Sequence, residues 1–218
     1  MDTPIEHFIV PHVLQQNSFD CGPACVCMVL RGLGFFGINL WELNKKVAVS
    51  SIWTIDLAFL LRYYAPDLDF TFYTTHTGAR ADDKFYRSSF DEDERRVNRL
   101  FSIAKNNNVN VIRMILPLEN FRRLLFNSKF VIIALVNSRF LKCQLCQVYK
   151  LRVNDYVGHF IVLIGFDPNS NCFIYRDPGI TEQYCMISMN DFERARRSCG
   201  TDEDCIVIRM PSHQYLNR

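Results

Sequence analysis

The chain has 218 residues, 49% hydrophobic and 13% aromatic, which is enough apolar material for one packed domain and too much for a disordered tail. Its formal net charge of +2 is too small to argue for a nucleic-acid surface. Met1 to Glu6 lacks a positive, then apolar, export signal, and the longest fully apolar run, Phe130 to Val136, is far short of a membrane span, so the nine cysteines point to reduced thiols in the cytoplasm, with the nucleus also open.

The first chemical signal is the run Gln15-Gln16-Asn17-Ser18-Phe19-Asp20-Cys21-Gly22-Pro23. It puts a cysteine on a tight turn just before an apolar helical run. A thiol at a helix N-terminus feels the positive end of the dipole and unpaired backbone N–H groups, which favour the thiolate. Gly22 is expected to permit a close, open turn, and Pro23 to take the first helical position, where no N–H partner is needed. An upstream amide can donate to a developing oxyanion. The same pattern also fits a buried cysteine at an ordinary loop-to-helix junction. Ala24 to Leu33 are apolar almost all round, as in a central buried helix, with Cys25 and Cys27 as small core residues.

Asn39 with Glu42 offers a capping box for a short helix through Val47. Thr54 to Tyr64 carries Leu57, Leu60, Leu61 and Tyr64 at helical spacing and stops before Pro66. Trp41 and Trp53 read as core anchors. Residues 67–75 alternate as a strand, and 77–83 form a polar loop. Ser89 with Glu92 is a second capping box, opening a helix through Ala104 with acids at its front. Val109 to Ile115 reads as a strand, Pro117 starts an amphipathic helix, and Phe130 to Val136 is a buried strand. Asp191 to Arg197 is a short helix whose Arg194, Arg196 and Arg197 read as a solvated end beside Asp202, Glu203 and Asp204. Cys205 to Ile208 closes the sheet. With no repeat or linker, residues 1–218 are expected to form a single α+β domain, a helical lobe packed on a mostly antiparallel sheet.

Gly158 to Phe166 reads as a buried strand with His159 at its start, and Cys172 to Arg176 as a second that runs into Asp177-Pro178-Gly179. Antiparallel pairing across the turn-rich 167–171 segment brings His159 and Asp177 to one end of the sheet. A histidine beside a thiol can take its proton, and an aspartate can fix the histidine tautomer and stabilise imidazolium. Each residue alone has a plainer explanation, a structural histidine and a simple turn.

The ordered set of Gln, Asp-Cys-Gly, Gly-His and Asp-Pro resembles the papain-like cysteine peptidases of the C39 type, the bacteriocin-processing peptidases. That resemblance implies a papain-like cysteine proteinase fold with Cys21 as nucleophile, His159 as base and Asp177 as orienting residue. It implies Gln15 as oxyanion donor, with Gln16 one residue off the match as the alternative, and makes residues 70–110 an insertion that shapes or covers the cleft. A longer similarity runs through Ser51-Ile52-Trp53-Thr54-Ile55-Asp56, Phe85-Tyr86-Arg87, Val136-Asn137-Ser138, Cys143-x-x-Cys146, Gly158-His159-Phe160 and Gly200-Thr201-Asp202-Glu203-Asp204. It resembles the guanylyl cyclase domain-containing family, including its plant soluble guanylyl cyclase-like members, over nearly the whole chain. It implies conversion of GTP to cyclic GMP.

Three functions therefore stand open. A Cys-His-Asp hydrolase needs no cofactor and implies a peptide or protein substrate, with peptide cleavage, deamidation and acyl transfer undivided. A guanylyl cyclase would use GTP with Mg²⁺ or Mn²⁺, held by metal-binding carboxylates and basic residues around the triphosphate. The chain has no Gly-x-x-x-x-Gly-Lys-Ser/Thr loop, and Asp202-Glu203-Asp204 reads as a turn before a metal site. The third is a non-catalytic interaction module on the peptidase fold. Cys143-Gln144-Leu145-Cys146 offers two of the four thiolates of a structural zinc site, which Cys172 or Cys185 would have to complete; a plain reduced pair is the alternative. Nucleic acid and membrane are not expected partners, and the oligomeric state is not legible.

Overall fold

Helix α1 (Cys21–Gly32) is apolar on every side because residues 21–30 are buried on every side. The computed structural model describes residues 10–47, 49, 51–79, 90–126, 129–144 and 157–211. On α1 pack α2 (Leu40–Val47) and α3 (Thr54–Tyr64), and α4 (Phe90–Ile103) packs on α3 and adds Val97 to the same core. The Asn39 box forms as expected: Glu42 N–H donates to Asn39 Oδ1 at 3.0 Å. Ser89, the other expected cap, lies outside the described residues.

The strands are β1 (Phe70–Thr74), β2 (Val111–Arg113), β3 (Phe130–Asn137), β4 (Gly158–Asp167), β5 (Cys172–Arg176), β6 (Cys185–Ser188) and β7 (Cys205–Arg209). They form one sheet in the order β2-β1-β7-β3-β4-β5-β6. Every pair is antiparallel except β1 with β2. The α+β expectation holds, with one addition. Along β4, Phe160, Val162 and Ile164 join the core under α1–α4, while Ile161, Leu163 and Phe166 face a second core. That second core is covered by α5 (Leu118–Phe126) and α6 (Met189–Arg196), where Phe121, Phe173 and Phe192 meet edge to face at 5.1–6.5 Å. Both faces of the sheet are dressed with helices.

Four local expectations change. Trp41 is 64% exposed rather than a core anchor, its ring covered by the Lys45 ammonium instead of by core. Arg196 is buried, not solvated, and spends its guanidinium on Glu193 and Glu203. Gly22 lies inside the helix, and its missing side chain serves packing: a Cβ there would come within 2.9 Å of Leu57 Cδ2 and 3.1 Å of Phe160 Cδ2. Pro23 falls two residues into the helix, still within the first turn, whose N–H groups have no helical acceptor.

Candidate active site

Cys21 owes its position to the residue before it. The Asp20 carboxylate is fully buried and accepts from Gln16 N–H at 3.1 Å, Asn17 N–H at 3.0 Å, the Asn17 amide at 3.2 Å and the Asn44 amide of α2 at 3.1 Å. A buried carboxylate is stable only when so many donors meet it, and here they curl residues 16–20 onto α2 and fix the start of α1. The Asp20 carbonyl then accepts from Ala24 N–H at 3.0 Å. The amides before Ala24 are left for other acceptors, and Pro23 has none to leave.

His159 and Asp177 sit at the matching ends of β4 and just past β5. Nε2 of His159 lies 2.6 Å from Asp177 Oδ1, in the buried interior. That bond occupies Nε2 and leaves Nδ1 as the ring nitrogen for Cys21. Asp177 is itself held: Oδ1 accepts from Gly179 N–H at 2.8 Å, and its carbonyl from His12 Nε2 at 2.9 Å. Gln15 N–H bonds the Pro178 carbonyl at 2.8 Å, which stitches the 12–15 segment to the Asp-Pro-Gly turn. Gly179 keeps that junction open, since a Cβ there would stand 3.2 Å from Asp177 Oδ1, 3.4 Å from Gln15 Oε1 and 3.4 Å from His159 Cε1.

The electrostatics of the thiol follow. Burial pushes the Cys21 thiol up, but the His159 hydrogen bond and charge, with the N–H groups of Phe160 and Gly22, hold it below the ordinary thiol range. A cavity of about 210 Å³ opens beside it, lined by Cys21, Trp53, Thr54, Phe160, Asp202 and Asp204 among others. Its Trp53 wall is fixed from a distance: Trp53 N–H donates to Asp56 Oδ2 at 2.9 Å, and Arg96 of α4 bonds Asp56, Asp93 and the Ser51 carbonyl.

The four expected site residues thus converge, and Gln15 is the amide that stands among them. It is half-buried, whereas Gln16 is exposed. One N–H of its amide donates to Asn17 O at 2.7 Å, and its buried Oε1 has no hydrogen-bond partner among the described residues. Asp20 and Gly179 carried no assigned role in the sequence, and Asp202 and Asp204 were read as a turn, not as part of a cleft wall. Asp20 and Gly179 were signalled only by standing inside the two motifs, and Asp202 and Asp204 only by standing in a run that carries the family resemblance. Cys146 lies outside the described residues, and among those described no three His, Cys, Asp or Glu side chains group so as to hold a metal ion.

The profile of the guanylylate cyclase family matches residues 10–208. "Guanylyl cyclase 1" of Arabidopsis thaliana is 34% identical over 97% of this chain and 79% of its own length. The chain belongs to that family. Its fold is that of a peptidase: the crystal structure of a double glycine motif protease from an AMS/PCAT transporter, in complex with the leader peptide, matches with a TM-score of 0.52 at 16% identity, covering 96% of this chain and 97% of that one. The family member is therefore built on the papain-like, C39-type α+β fold. No helix among the described residues is long and apolar enough to cross a membrane.

Proposed function

We propose that this family member is a cysteine hydrolase of the peptidase type. The supporting observation is the buried Cys21–His159–Asp177 line at the mouth of a cavity, with the thiol held below its ordinary range. The Cys21 thiolate attacks the carbonyl carbon of an amide or ester, and the electron pair moves onto the carbonyl oxygen. The remaining amide N–H of Gln15 and the Cys21 backbone N–H receive that oxyanion, each worth ~3–4 kcal/mol. His159, now imidazolium, gives its proton to the departing amine or alcohol as the bond breaks. Water then attacks the acyl-thioester, loses its proton to His159, and releases the acid and the free thiol. Asp177 holds the ring so that Nδ1 faces sulfur and stabilises the positive charge in both steps.

A peptide substrate fits this reading, because the structural neighbour holds a leader peptide in its complex. The proposed chemistry calls on no metal. Cys21, Cys25, Cys27, Cys172, Cys199 and Cys205 are free thiols, in keeping with a reducing cytoplasm. Residues 70–110 act as an insertion within one domain, and Arg96 is how they brace the cleft wall. The test is acylation of the full chain by peptide thioesters and amides, followed by mass spectrometry. A covalent adduct on Cys21, absent in Cys21→Ala and His159→Ala, is expected. No adduct, or one that persists in both variants, sinks the proposal.

A second reading has the family behind it: turnover of GTP to cyclic GMP. Incubation with GTP and Mg²⁺ or Mn²⁺ measures it directly. Cyclic GMP formed at equal rates by the wild type and Cys21→Ala would assign that activity to residues outside the thiol cleft.

A further inference from the structure

A larger groove lies apart from the thiol cleft, between α4, the 3₁₀ turn Lys105–Asn107 and the β1–β2 edge, with a volume of about 800 Å³. Its chemistry is one-sided. Among the described residues the lining includes Lys105 and Arg113, the side chains of Asn98, Asn108 and Asn110, and Phe101 with buried Ala104 and Val109, and none of them is a carboxylate.

Neither cation is neutralised by a neighbour: among the described residues Lys105 and Arg113 form no ion pair. Arg113 is nonetheless held in place, because its Nε donates to the Thr75 carbonyl at 3.0 Å and leaves both terminal nitrogens for another acceptor. The turn beneath is also set. Asn108 adopts the left-handed conformation with φ 57°, and its carbonyl takes the Arg62 Nε at 2.9 Å. A pre-set guanidinium, an ammonium and several amide donors around an apolar floor match an oxyanion attached to an apolar or planar body.

We infer that this groove binds a small phosphorylated molecule, with Arg113 and Lys105 on the phosphate and Phe101 against the remainder. The site uses none of the residues of the proposed hydrolase, so the two stand or fall separately. Both cavities do touch one strand end: Thr75, which accepts from Arg113, donates from its N–H and its hydroxyl to the Asp202 carbonyl at 2.9 Å each, and Asp202 lines the thiol cavity.

Titration calorimetry of the full chain with inorganic pyrophosphate, ATP and GTP, at low and at raised salt, tests the inference. At least one of the three is expected to bind, more weakly as salt rises. Lys105→Glu/Arg113→Glu should weaken that binding at least ~tenfold, and the milder Lys105→Gln/Arg113→Gln pair should do so in the same direction without charge reversal. Cys21→Ala should bind as the wild type does, and thermal melts confirm that each variant is folded. Absence of binding by all three probes up to ~1 mM overturns the inference. So does unchanged binding in both folded double variants, or loss of binding in Cys21→Ala, which would place the ligand in the thiol cleft.

Discussion

Cys21 and Cys25 stand one turn apart on the same helix, and their surroundings drive them in opposite directions. Cys25 is fully enclosed, and burial first, then the negative charges of Cys21 and Asp177, push its thiol well above the usual range. Cys21 is nearly as enclosed, at 8% exposure, yet its thiol moves down. Two things separate them. The first turn of a helix still has N–H groups to offer, while the second has given its own to the helix. And the end of β4 brings an imidazole to the first position only. Neither residue type nor helix membership makes a thiol reactive; the partners that reach it do.

Removing those partners should erase the contrast. His159→Ala is expected to have the largest effect. Alkylation of Cys21 near neutral pH should slow by ~tenfold or more, since each unit of thiol pKa is a factor of ten in thiolate. Acyl turnover should fall toward the residual supplied by binding and the oxyanion donors. Quantitative peptide mapping with iodoacetamide compares Cys21 and Cys25 in one sample; an unchanged Cys21 rate would refute the assigned partnership. Asp177→Asn comes next. The shape is kept, but the amide can turn its N–H₂ toward Nε2 and favour the wrong tautomer, for which a loss of up to ~10⁴ in turnover has precedent in triads of this kind. Alkylation, which needs no proton returned to a leaving group, should fall much less.

The pH dependence sharpens the same contrast without a change at the sheet end. Because the folded Cys21 thiol gives up its proton more readily than the unfolded one, the thiolate contributes stability that is fully present above the ordinary thiol pKa of about 8.5 and is lost as pH falls through the lower, folded value. Denaturant midpoints of wild type and Cys21→Ser, measured from about pH 6 to about pH 9, should therefore diverge in favour of wild type as pH rises. The Cys21 alkylation curve should have its midpoint below that of a free thiol. Convergent stability curves would mean that the thiol is not depressed.

How much of this was legible depended on distance along the chain. The all-apolar α1, the Asn39 box and the Thr54–Tyr64 helix are local patterns; the last two form at the expected residues, while α1 begins at Cys21, earlier than the expected start at Pro23. Strand β6 was not foreseen: Cys185–Ser188 has four residues, too short for alternation to speak, and is defined by its pairing with β5. Strand β1 was foreseen, but not its place between β2 and β7, which requires partners from two remote stretches. At the site, Cys21, His159 and Asp177 could be read because each ends or begins an element with its own signature. The donors that fold Asp20 in place, Asn44 among them, and the Asp202–Asp204 wall could not, because only the tertiary fold brings them there.

Gly22 tests whether the first turn must sit as close to the sheet as it does. Gly22→Ala adds helix propensity worth ~1 kcal/mol but drives a methyl into Leu57 and the Phe160 ring, and overpacking of this kind costs ~1–3 kcal/mol. A net loss of about 1–2 kcal/mol in urea unfolding is expected, with a several-fold slower Cys21 because the thiol is levered away from the Phe160 N–H. A gain in stability would mean that Leu57 yields freely.

The smallest effect should come from the other member of the pair. Cys25 has no exposed surface and a thiol held in its neutral form, so its sulfur works as core volume. Cys25→Ala removes that volume from the packing of α1 and should cost about 1 kcal/mol in urea unfolding. The Cys21 alkylation rate should stay within about twofold of wild type, because the neutral Cys25 thiol exerts no charge on its neighbour. A large change in that rate would show that Cys25 is not held neutral, and that the reactivity of the first turn is set in part by the second.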